Sequence, residues 1–264
     1  GPLTNFGLTS TFSLSIWFKF SAFTGPKHIL TQSAGGYDGG VGWSLYAVDA
    51  KLKFSMYGIT AQRSRRVRCD TLYNDGAWHH VVITHAGSLI GDIKMYVDGA
   101  LKTLVTEQDS GSGYTVPEYN LGLGAWNDSV TTYSWDGWLS DAAIYNIALD
   151  LTQVGEIYNS GVPNDLEGLS TSGNLMYWWP LGSTPDTRVQ RNSTLTSMTS
   201  LQVSKDNPGG VARTSIEFRT VGYLSLGNVY NFERDQPFSW SGWFKTTNAL
   251  RAETLWSKID STNA

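Results

Sequence analysis

The stretch FSLSIWFK, residues 12–19, decides the fold of this chain. Every second residue from Phe12 to Phe18 is apolar, and serine or lysine occupies most of the positions between them. An alternation with a period of two places the apolar side chains on one face of a pleated strand. The stretch therefore predicts a half-buried β-strand.

The same phrase returns near the other end of the chain, as FSWSGWFK at residues 238–245, an offset of 226 residues. This offset also aligns Asn5-Phe6 with Asn231-Phe232 without a gap. Self-similarity at a fixed offset indicates a repeated structural unit. We predict a first domain over residues 1–162 that lacks its N-terminal strands, a linker over residues 163–173, and the N-terminal part of a second domain over residues 174–264.

The composition favours an all-β protein. Charged residues make up 16% of the chain and aromatic residues 13%, and there are 28 glycines, which is typical of many short strands joined by tight turns. A net charge of −4 offers no cationic field for nucleic acid, so no nucleic-acid partner is expected. The chain has no apolar run long enough to span a bilayer, so no membrane insertion is expected. Cys69 is the only cysteine, which rules out an internal disulfide framework and predicts a small buried side chain.

Further strand patterns follow along the chain and end at Gly, Asn or Asp. The Asp98-Gly99 pair between IKMYV and ALKTLV predicts a two-residue hairpin, because both residues tolerate positive φ. A helix is predicted only over DLTQVGEIYNSG, where Asp150 and Gln153 form a capping-box pattern. Four apolar residues fall on one face of this helix and a glycine ends it: Leu151, Val154, Ile157, Tyr158 and Gly161.

Several of these motifs, in this order, resemble a known family. The motifs are the strand at residues 12–19, Trp78-His79 after Asn74-Asp75-Gly76, the Val97-Asp98-Gly99 hairpin, LGLG, and DGWLSDAAIYNIAL followed by the short helix. Together they are similar to the laminin G-like branch of the concanavalin A-like lectin/glucanase superfamily. LMYWWPLG and SIEFRTVGYLSLG resemble the N-terminal part of the same domain type. The resemblance implies a jelly-roll sandwich of two curved antiparallel sheets.

The family's functions include glycan binding, protein adhesion, calcium-assisted recognition, structural spacing and, in one branch, glycoside hydrolysis. Fold alone does not choose among them. The tandem arrangement of these motifs, with this closing helix and linker, resembles that of phage and marine viral tail or virion surface proteins. We therefore expect a non-enzymatic structural or adhesion protein of an extracellular or virion surface. The alternative is a carbohydrate-binding module attached to a secreted bacterial enzyme.

Hydrolysis is not favoured by the sequence. The resemblance implies that hydrolases of the superfamily carry Glu-x-Asp-x-Glu, or the same motif one residue longer, on one strand, and two such carboxyl groups are needed for retaining hydrolysis. Only Glu107-Gln108-Asp109 begins this pattern, and no second Glu follows, so we interpret the stretch as a polar loop. His79 and His80 point to opposite faces of a strand and cannot chelate one ion together. We expect His79 to be half-buried and hydrogen-bonded.

Calcium is the one cofactor that the resemblance implies, held by Asp or Asn side chains and carbonyl groups. In calcium-binding members an Asp commonly follows the Trp-His pair, but here His80 stands at that position. The remaining candidate ligands lie in turns, where Asp and Asn often serve only the turn: Asp75, Asn127, Asp128 and Asp136.

Glycan-binding candidates come from two features. The basic run that includes Arg65 and Arg66 could bind an anionic glycan or phosphate, or it could be a strand edge whose charges prevent pairing with another sheet. Aromatic residues in Gly-, Asp- and Ser-rich stretches could stack on sugars, namely Tyr37, Trp126, Tyr133 and Trp135, among which we favour the two tryptophans.

We expect the protein to form part of a larger multimeric assembly, with glycans or neighbouring structural proteins as partners. In a second hypothesis, residues 174–264 of one subunit complete the sandwich begun by residues 1–173 of the next. Residues 1–38 and 227–264 are equivalent in the repeat and would compete for the same place, which argues against that arrangement.

Overall fold

The structure is a computed structural model, which describes residues 10–34, 41–57, 64–110, 121–124 and 133–181. It also describes the backbone of four strands, at 193–196, 201–204, 215–218 and 224–228. Within this part of the chain almost all regular structure is β-strand, and the strands form two antiparallel sheets. The predicted all-β sandwich of two antiparallel sheets is therefore confirmed.

Sheet A is built around β1, which pairs with β6 on one side and β11 on the other. Its strands, in spatial order, are β14 (Leu201–Ser204), β15 (Ser215–Phe218), β11 (Gly137–Tyr145), β1 (Phe12–Lys19), β6 (His79–His85), β7 (Ile93–Val97) and β8 (Ala100–Leu101), and β12 (Leu175–Trp179) also pairs with β11.

Sheet B faces sheet A across the core. Its strands, in spatial order, are β13 (Ser193–Thr196), β16 (Leu224–Asn228), β10 (Leu121–Leu123), β2 (Lys27–Ala34), β3 (Val41–Val48), β4 (Lys51–Tyr57), β5 (Ser64–Leu72) and β9 (Leu104–Asp109).

The main core lies between the two sheets. The inward residues of β1 are fully buried, as the alternation predicts, and Phe12 contacts Phe54 of sheet B with ring centroids 6.4 Å apart. The prediction of a half-buried strand is wrong, however, because the outward residues Ser13, Ser15 and Trp17 are at most 2% exposed, covered by the segment that carries Leu149 and Tyr158. Cys69 is also buried in this core, as expected from its lone occurrence. Burying such apolar surface is the main favourable contribution to folding.

A second, smaller apolar cluster covers the outer face of sheet A. The helix α1 (Leu151–Tyr158) packs Val154 and Ile157 against it. The predicted capping box is present, because the Asp150 carboxylate accepts the Gln153 N–H and the Gln153 side chain accepts the Asp150 N–H. Leu151, which we had placed on the apolar face, is 58% exposed, because only the part of the helix around Val154 and Ile157 packs on the sheet.

The C-terminal end of α1 also differs from the prediction. Asn159, in the left-handed region at φ 46°, caps the helix, and residues 159–161 form a 3₁₀ turn. The predicted hairpin is confirmed, since Asp98 and Gly99 both have positive φ, at 53° and 74°. Gly99 is required for a second reason: a Cβ there would lie 2.8 Å from the Tyr158 ring.

Parts of the predicted linker and second domain contact the sandwich. Within residues 163–173, Leu166 and Thr171 are buried. β12 then pairs with β11, and Trp178 and Trp179 are almost fully buried in the two apolar clusters. β15 and β16 pair with β11 and β10. Strands from residues 174–228 thus pair with both sheets, and the division of the chain into domains stays a prediction.

Candidate binding face

The outer face of sheet B is polar. On β3 and β4 the residues Trp43, Leu45 and Phe54 point into the core, so the residues between them point outward. Eight outward side chains of strands β2 to β5 form what we call the polar face: His28, Thr31, Ser33, Ser44, Tyr46, Ser55, Tyr57 and Arg66.

The strand register arranges these side chains in rows across the sheet. Thr31, Ser44, Ser55 and Arg66 are consecutive partners on β2, β3, β4 and β5. Neighbouring strands lie about 4.8 Å apart, so this row spans about 14 Å. Larger side chains flank it, with His28 and Tyr46 in the row on one side and Tyr57 in the row on the other. The result is a row of mainly small hydroxyl groups bordered by rings.

The floor of the polar face is buried and internally hydrogen-bonded. His28 Nδ1 lies 2.6 Å from Ser44 Oγ, and Tyr46 Oη lies 3.0 Å from Ser55 Oγ. The His28 ring also stacks on Tyr46 at 5.4 Å. These four side chains are at most 3% exposed. Burial lowers the pKa of His28 to about 3, so its imidazole is neutral at pH 7. The floor is therefore a buried, uncharged network of hydrogen bonds.

Half-buried side chains stand around this floor. The Arg66 guanidinium lies 5.9 Å from the centre of the Tyr57 ring, a cation–π contact. At the opposite side, Tyr133 meets the His28 ring edge-on at 6.2 Å. The structure thus brings two predicted glycan-binding residues, Arg66 and Tyr133, to the same face of the protein.

A network of ion pairs continues the face toward β9. The Glu107 carboxylate accepts hydrogen bonds from Lys53 and from Arg68, both at 2.8 Å, and Asp70 accepts from Arg68 and Lys51. Burial alone would raise the pKa of Glu107, but its hydrogen bonds with Lys53 and Arg68 lower it below the usual value. The pKa of Asp70 is lowered as well, chiefly by its hydrogen bond from Arg68.

This network has more positive than negative charge. The described residues on this side of the face contribute four basic side chains and two carboxylates, namely Lys51, Lys53, Arg66, Arg68, Asp70 and Glu107. The β4–β5 end of the face thus suits an acidic ligand group. It does not suit general acid catalysis, because the two carboxylates stay ionised at neutral pH.

Three predictions about this region are wrong. Arg65 points inward, is 5% exposed and pairs with Asp109 at 3.3 Å, so it does not belong to the polar face. The basic strand β5 is not a sheet edge, since it pairs with both β4 and β9. Glu107 and Asp109 lie on strand β9 rather than in a loop, because that strand pairs with β5 along its length.

The predicted aromatic loop residues have different positions. Trp135 is 0% exposed and packs edge-on against Phe18 and Phe20, so it is a core residue and its ring is not available to stack on a sugar. The prediction failed because the turn-forming residues around Trp135 indicate a loop, and the local sequence does not reveal that this loop folds back between the sheets. Tyr37 and Trp126 lie outside the described residues.

The predicted calcium ligands do not form a cluster in the described residues. Asp75 accepts the Ala77 N–H at 2.8 Å, which is the main cause of its lowered pKa. Asp136 is exposed. Across the described ranges no three His, Cys, Asp or Glu side chains lie together as metal ligands would. Asn127 and Asp128 lie outside the described residues.

His79 is half-buried and hydrogen-bonded, as predicted. Its Nδ1 lies 2.8 Å from Asp98 and its Nε2 lies 3.1 Å from Asp75. Burial lowers the pKa of His79, but the two carboxylates outweigh this effect and raise the pKa above its ordinary value. The arrangement joins the turn before β6 to the hairpin between β7 and β8.

A buried Ser–His pair on the outer face of sheet A was not predicted from the sequence. Ser15 Oγ lies 2.8 Å from His80 Nε2, a distance typical of a nucleophile and its base. However, His80 Nδ1 is buried without a hydrogen-bond partner, and burial lowers the pKa of His80 to about 3. No carboxylate orients the ring, and the pair is buried beneath Tyr158, which stacks on His80. We therefore interpret it as structural.

Comparisons with known proteins agree with this architecture. Residues 2–155 match the family model Laminin_G_3, described as the concanavalin A-like lectin/glucanases superfamily. A comparison with curated protein sequences gave no match. Within the described residues, no helix is both long and apolar enough to cross a membrane.

Three solved structures illustrate the similarity of fold. The CBM40 of the Ruminococcus gnavus IT-sialidase, bound to α2,3 sialyllactose, is 14% identical, with a TM-score of 0.43 over 55% of this chain and 81% of that chain. Mouse laminin α1 domains LG4-5 are 19% identical, with a TM-score of 0.41 over 57% and 40%. The binding domain of botulinum neurotoxin serotype G is 15% identical, with a TM-score of 0.43 over 57% and 36%. This chain thus spans well under half of the laminin and neurotoxin chains, and similarities at this level carry no argument about ligands.

Proposed function

The chain belongs to the Laminin_G_3 family of the concanavalin A-like lectin/glucanase superfamily, and from this premise we propose that it is a non-enzymatic glycan-binding module. The accessible rim of the polar face is its recognition surface, with the half-buried Tyr133 and Arg66 and the basic side chains of β4 and β5 standing around the buried floor. The preferred ligands carry acidic groups, which contact the β4–β5 end of the face.

One observation carries this proposal: above a buried hydroxyl floor, the partly exposed side chains Lys51, Lys53, Arg66 and Arg68 give the β4–β5 end of the face an excess of positive charge. Glycans present hydroxyl groups, apolar ring faces and, in many cases, carboxylate or sulfate groups. The half-buried Tyr133 ring can stack on an apolar sugar face, and a guanidinium can bind a carboxylate or sulfate through two parallel hydrogen bonds. Arg66 and Tyr133 already contact buried rings of the face, and contacts made before binding lower the entropy cost of binding.

The same face argues against hydrolysis. A retaining glycosidase needs two carboxyl groups about 5 to 5.5 Å apart, and one of them has to donate a proton. Glu107 and Asp70 are ion-paired, and their lowered pKa values keep them ionised at neutral pH. Neither carboxylate is therefore suited to the role of general acid.

We place the module in an extracellular or virion-surface assembly, with glycans or neighbouring structural proteins as partners. The internal repeat supports this context, because repetition multiplies weak contacts through effective concentration. A carbohydrate-binding module of a secreted bacterial enzyme is the alternative. The neighbouring genes or domains distinguish these two hypotheses. Tail or capsid proteins beside this sequence would support the virion-surface assembly, and a catalytic domain would support the module of a secreted enzyme.

The first experiment is a glycan array with matched neutral and acidic ligands, run with and without a chelator. We expect acidic glycans to bind best. Loss of the signal with chelator would support a bound calcium ion. No binding under either condition would contradict glycan recognition and indicate a purely architectural role.

The second experiment locates the site. Arg66→Ala should lower the affinity for an acidic glycan about tenfold, the loss expected for one charge-assisted contact. Lys94→Ala is the matched control, because it removes one positive charge from an exposed position on sheet A. Isothermal titration should show the loss only for Arg66→Ala. Equal losses in both variants would indicate non-specific attraction and would contradict a site on sheet B.

A further inference from the structure

Strand β1 occupies the central position of sheet A, and both of its faces are packed. Its inward side chains Phe12, Leu14, Ile16 and Phe18 are each 0% exposed in the main core. It hydrogen-bonds along its length to β6 and β11. Any segment that replaced β1 would have to fit on both faces.

If the copy at residues 238–245 replaced β1, its outward side chains could make the same contacts as those of β1. Ser13 donates to the Ile147 carbonyl at 2.7 Å and accepts the Leu149 N–H at 2.9 Å, and the copy has Ser239 at that position. The same serine-for-serine identity holds where Ser15 meets His80. Trp17, which stacks on Tyr158 at 5.7 Å, also has a tryptophan as its counterpart.

The copy would not fit on the inward face. At two of the four inward positions the side chain changes, since Trp240 stands for Leu14 and Gly242 stands for Ile16. Close-packed cores do not absorb such changes. The tryptophan would overpack the space that Leu14 fills, and the glycine would leave a cavity where Ile16 packs. Because all other positions are identical, the whole difference between strand and copy lies in the core.

We propose that the β1 position selects its own strand through the volumes of Leu14 and Ile16 and rejects the copy at 238–245. Consecutive copies of this unit therefore do not exchange β1 strands, although the residues that make the outward contacts of β1 are identical in both. The partner that the copy fits is a second sandwich with a different interior. The interior of that second sandwich would have room for the indole of Trp240 and would place a bulkier side chain opposite Gly242. This inference does not depend on glycan binding.

The test converts the copy into an identical strand. Trp240→Leu with Gly242→Ile turns FSWSGWFK into FSLSIWFK, so two equal strands compete for one position. Wild-type and variant chains are refolded from denaturant, and hydrogen exchange is followed by mass spectrometry. The flanking residues distinguish peptides from the two segments. This readout detects exchange both within a chain and between chains.

In the wild type we expect one population with residues 12–19 protected, and occupancy by the copy in fewer than about one molecule in a thousand. In the double variant we expect two populations, with residues 12–19 unprotected in at least about one molecule in ten. Trp243→Phe, an outward change in the copy, is the control and should keep the wild-type pattern. Two populations in the wild type, or full protection of residues 12–19 in the double variant, would overturn the proposal.

Discussion

The outer faces of the two sheets are both buried, but their chemistry is opposite. On sheet A, Val82 and Tyr145 pack beneath Val154 and Ile157 of the helix as an apolar cluster. On sheet B, the polar face buries hydroxyl groups and an imidazole that hydrogen-bond to one another. Apolar burial stabilises a fold directly, whereas polar burial is costly unless every group finds a partner. Sheet A's outer face therefore serves stability. On sheet B, the half-buried side chains at the rim of the polar face, such as Arg66 and Tyr133, are the ones that a ligand can reach.

The largest expected effect lies on the apolar face. Trp178→Ala removes a nearly buried indole that packs in the cluster and donates a hydrogen bond to Asp141 at 3.4 Å. We expect the free energy of unfolding to fall by about 3 to 5 kcal/mol. Chemical denaturation monitored by circular dichroism measures this change.

Met176→Ala is the matched control on the same strand, because Met176 is 37% exposed. Its effect should stay below about 1 kcal/mol. If Trp178→Ala were equally mild, β12 would not be part of this sandwich, and the predicted boundary at residues 163–173 would regain support.

Acid titration compares one histidine on each face. Burial lowers the pKa of His28 on sheet B and of His80 on sheet A to about 3. Both pKa values lie below the unfolded value of about 6.5, so the unfolded state binds more protons between these limits. Stability is therefore fully present above pH 6.5 and is lost as the pH falls toward 3. Each histidine should lower the free energy of unfolding by about 2 kcal/mol at pH 5 relative to pH 7.

The measurement is the free energy of unfolding from pH 7 to pH 5, in the wild type and in His28→Gln and His80→Gln. Each substitution should remove about half of the acid loss that these two residues cause. His79 acts in the opposite direction, because its raised pKa gives stability below its unfolded value that is lost as the pH rises through the folded value. An unchanged pH profile in both variants would show that neither imidazole is held neutral.

The smallest expected effect concerns the hydrogen bonds of the polar face. Tyr46→Phe removes the hydroxyl that lies 3.0 Å from Ser55 Oγ and leaves that serine buried. We expect a loss of about 1 kcal/mol in the free energy of unfolding. The double variant with Ser55→Ala should recover part of this loss, because no buried polar atom is then left alone. An unchanged free energy of unfolding in Tyr46→Phe would mean that water replaces the lost hydroxyl as the hydrogen-bond partner of Ser55.

Short patterns predicted the elements whose causes are local. Alternation gave β1, the Asp98-Gly99 pair gave the hairpin, and Asp150 with Gln153 gave the start of the helix. The patterns failed where a distant contact decides. Leu151 fits the helical stripe but lies beyond the reach of the sheet, and Glu107 looks like a loop residue until β9 pairs with β5.

The candidate site was predicted only in part. A basic run and an aromatic residue in a turn pointed to Arg66 and Tyr133, and both reach the polar face. The same reasoning included Arg65, the neighbour that points to the other side of the strand, and Trp135, which packs in the core. The serines of the polar face carry no signal of their own. Their importance comes from lying next to one another across strands.

By itself, the sequence determined the class of fold, the strands and turns, and the recurrence of one phrase after 226 residues, because each depends on neighbours along the chain. Only the tertiary structure decided which strands are adjacent, and therefore that Thr31, Ser44, Ser55 and Arg66 form one row. It also decided that residues 175–179 close the sandwich beside β11. The physical reason is that pairing register and core volume are set by residues far apart in sequence, and a one-residue slip would turn every side chain to the other face.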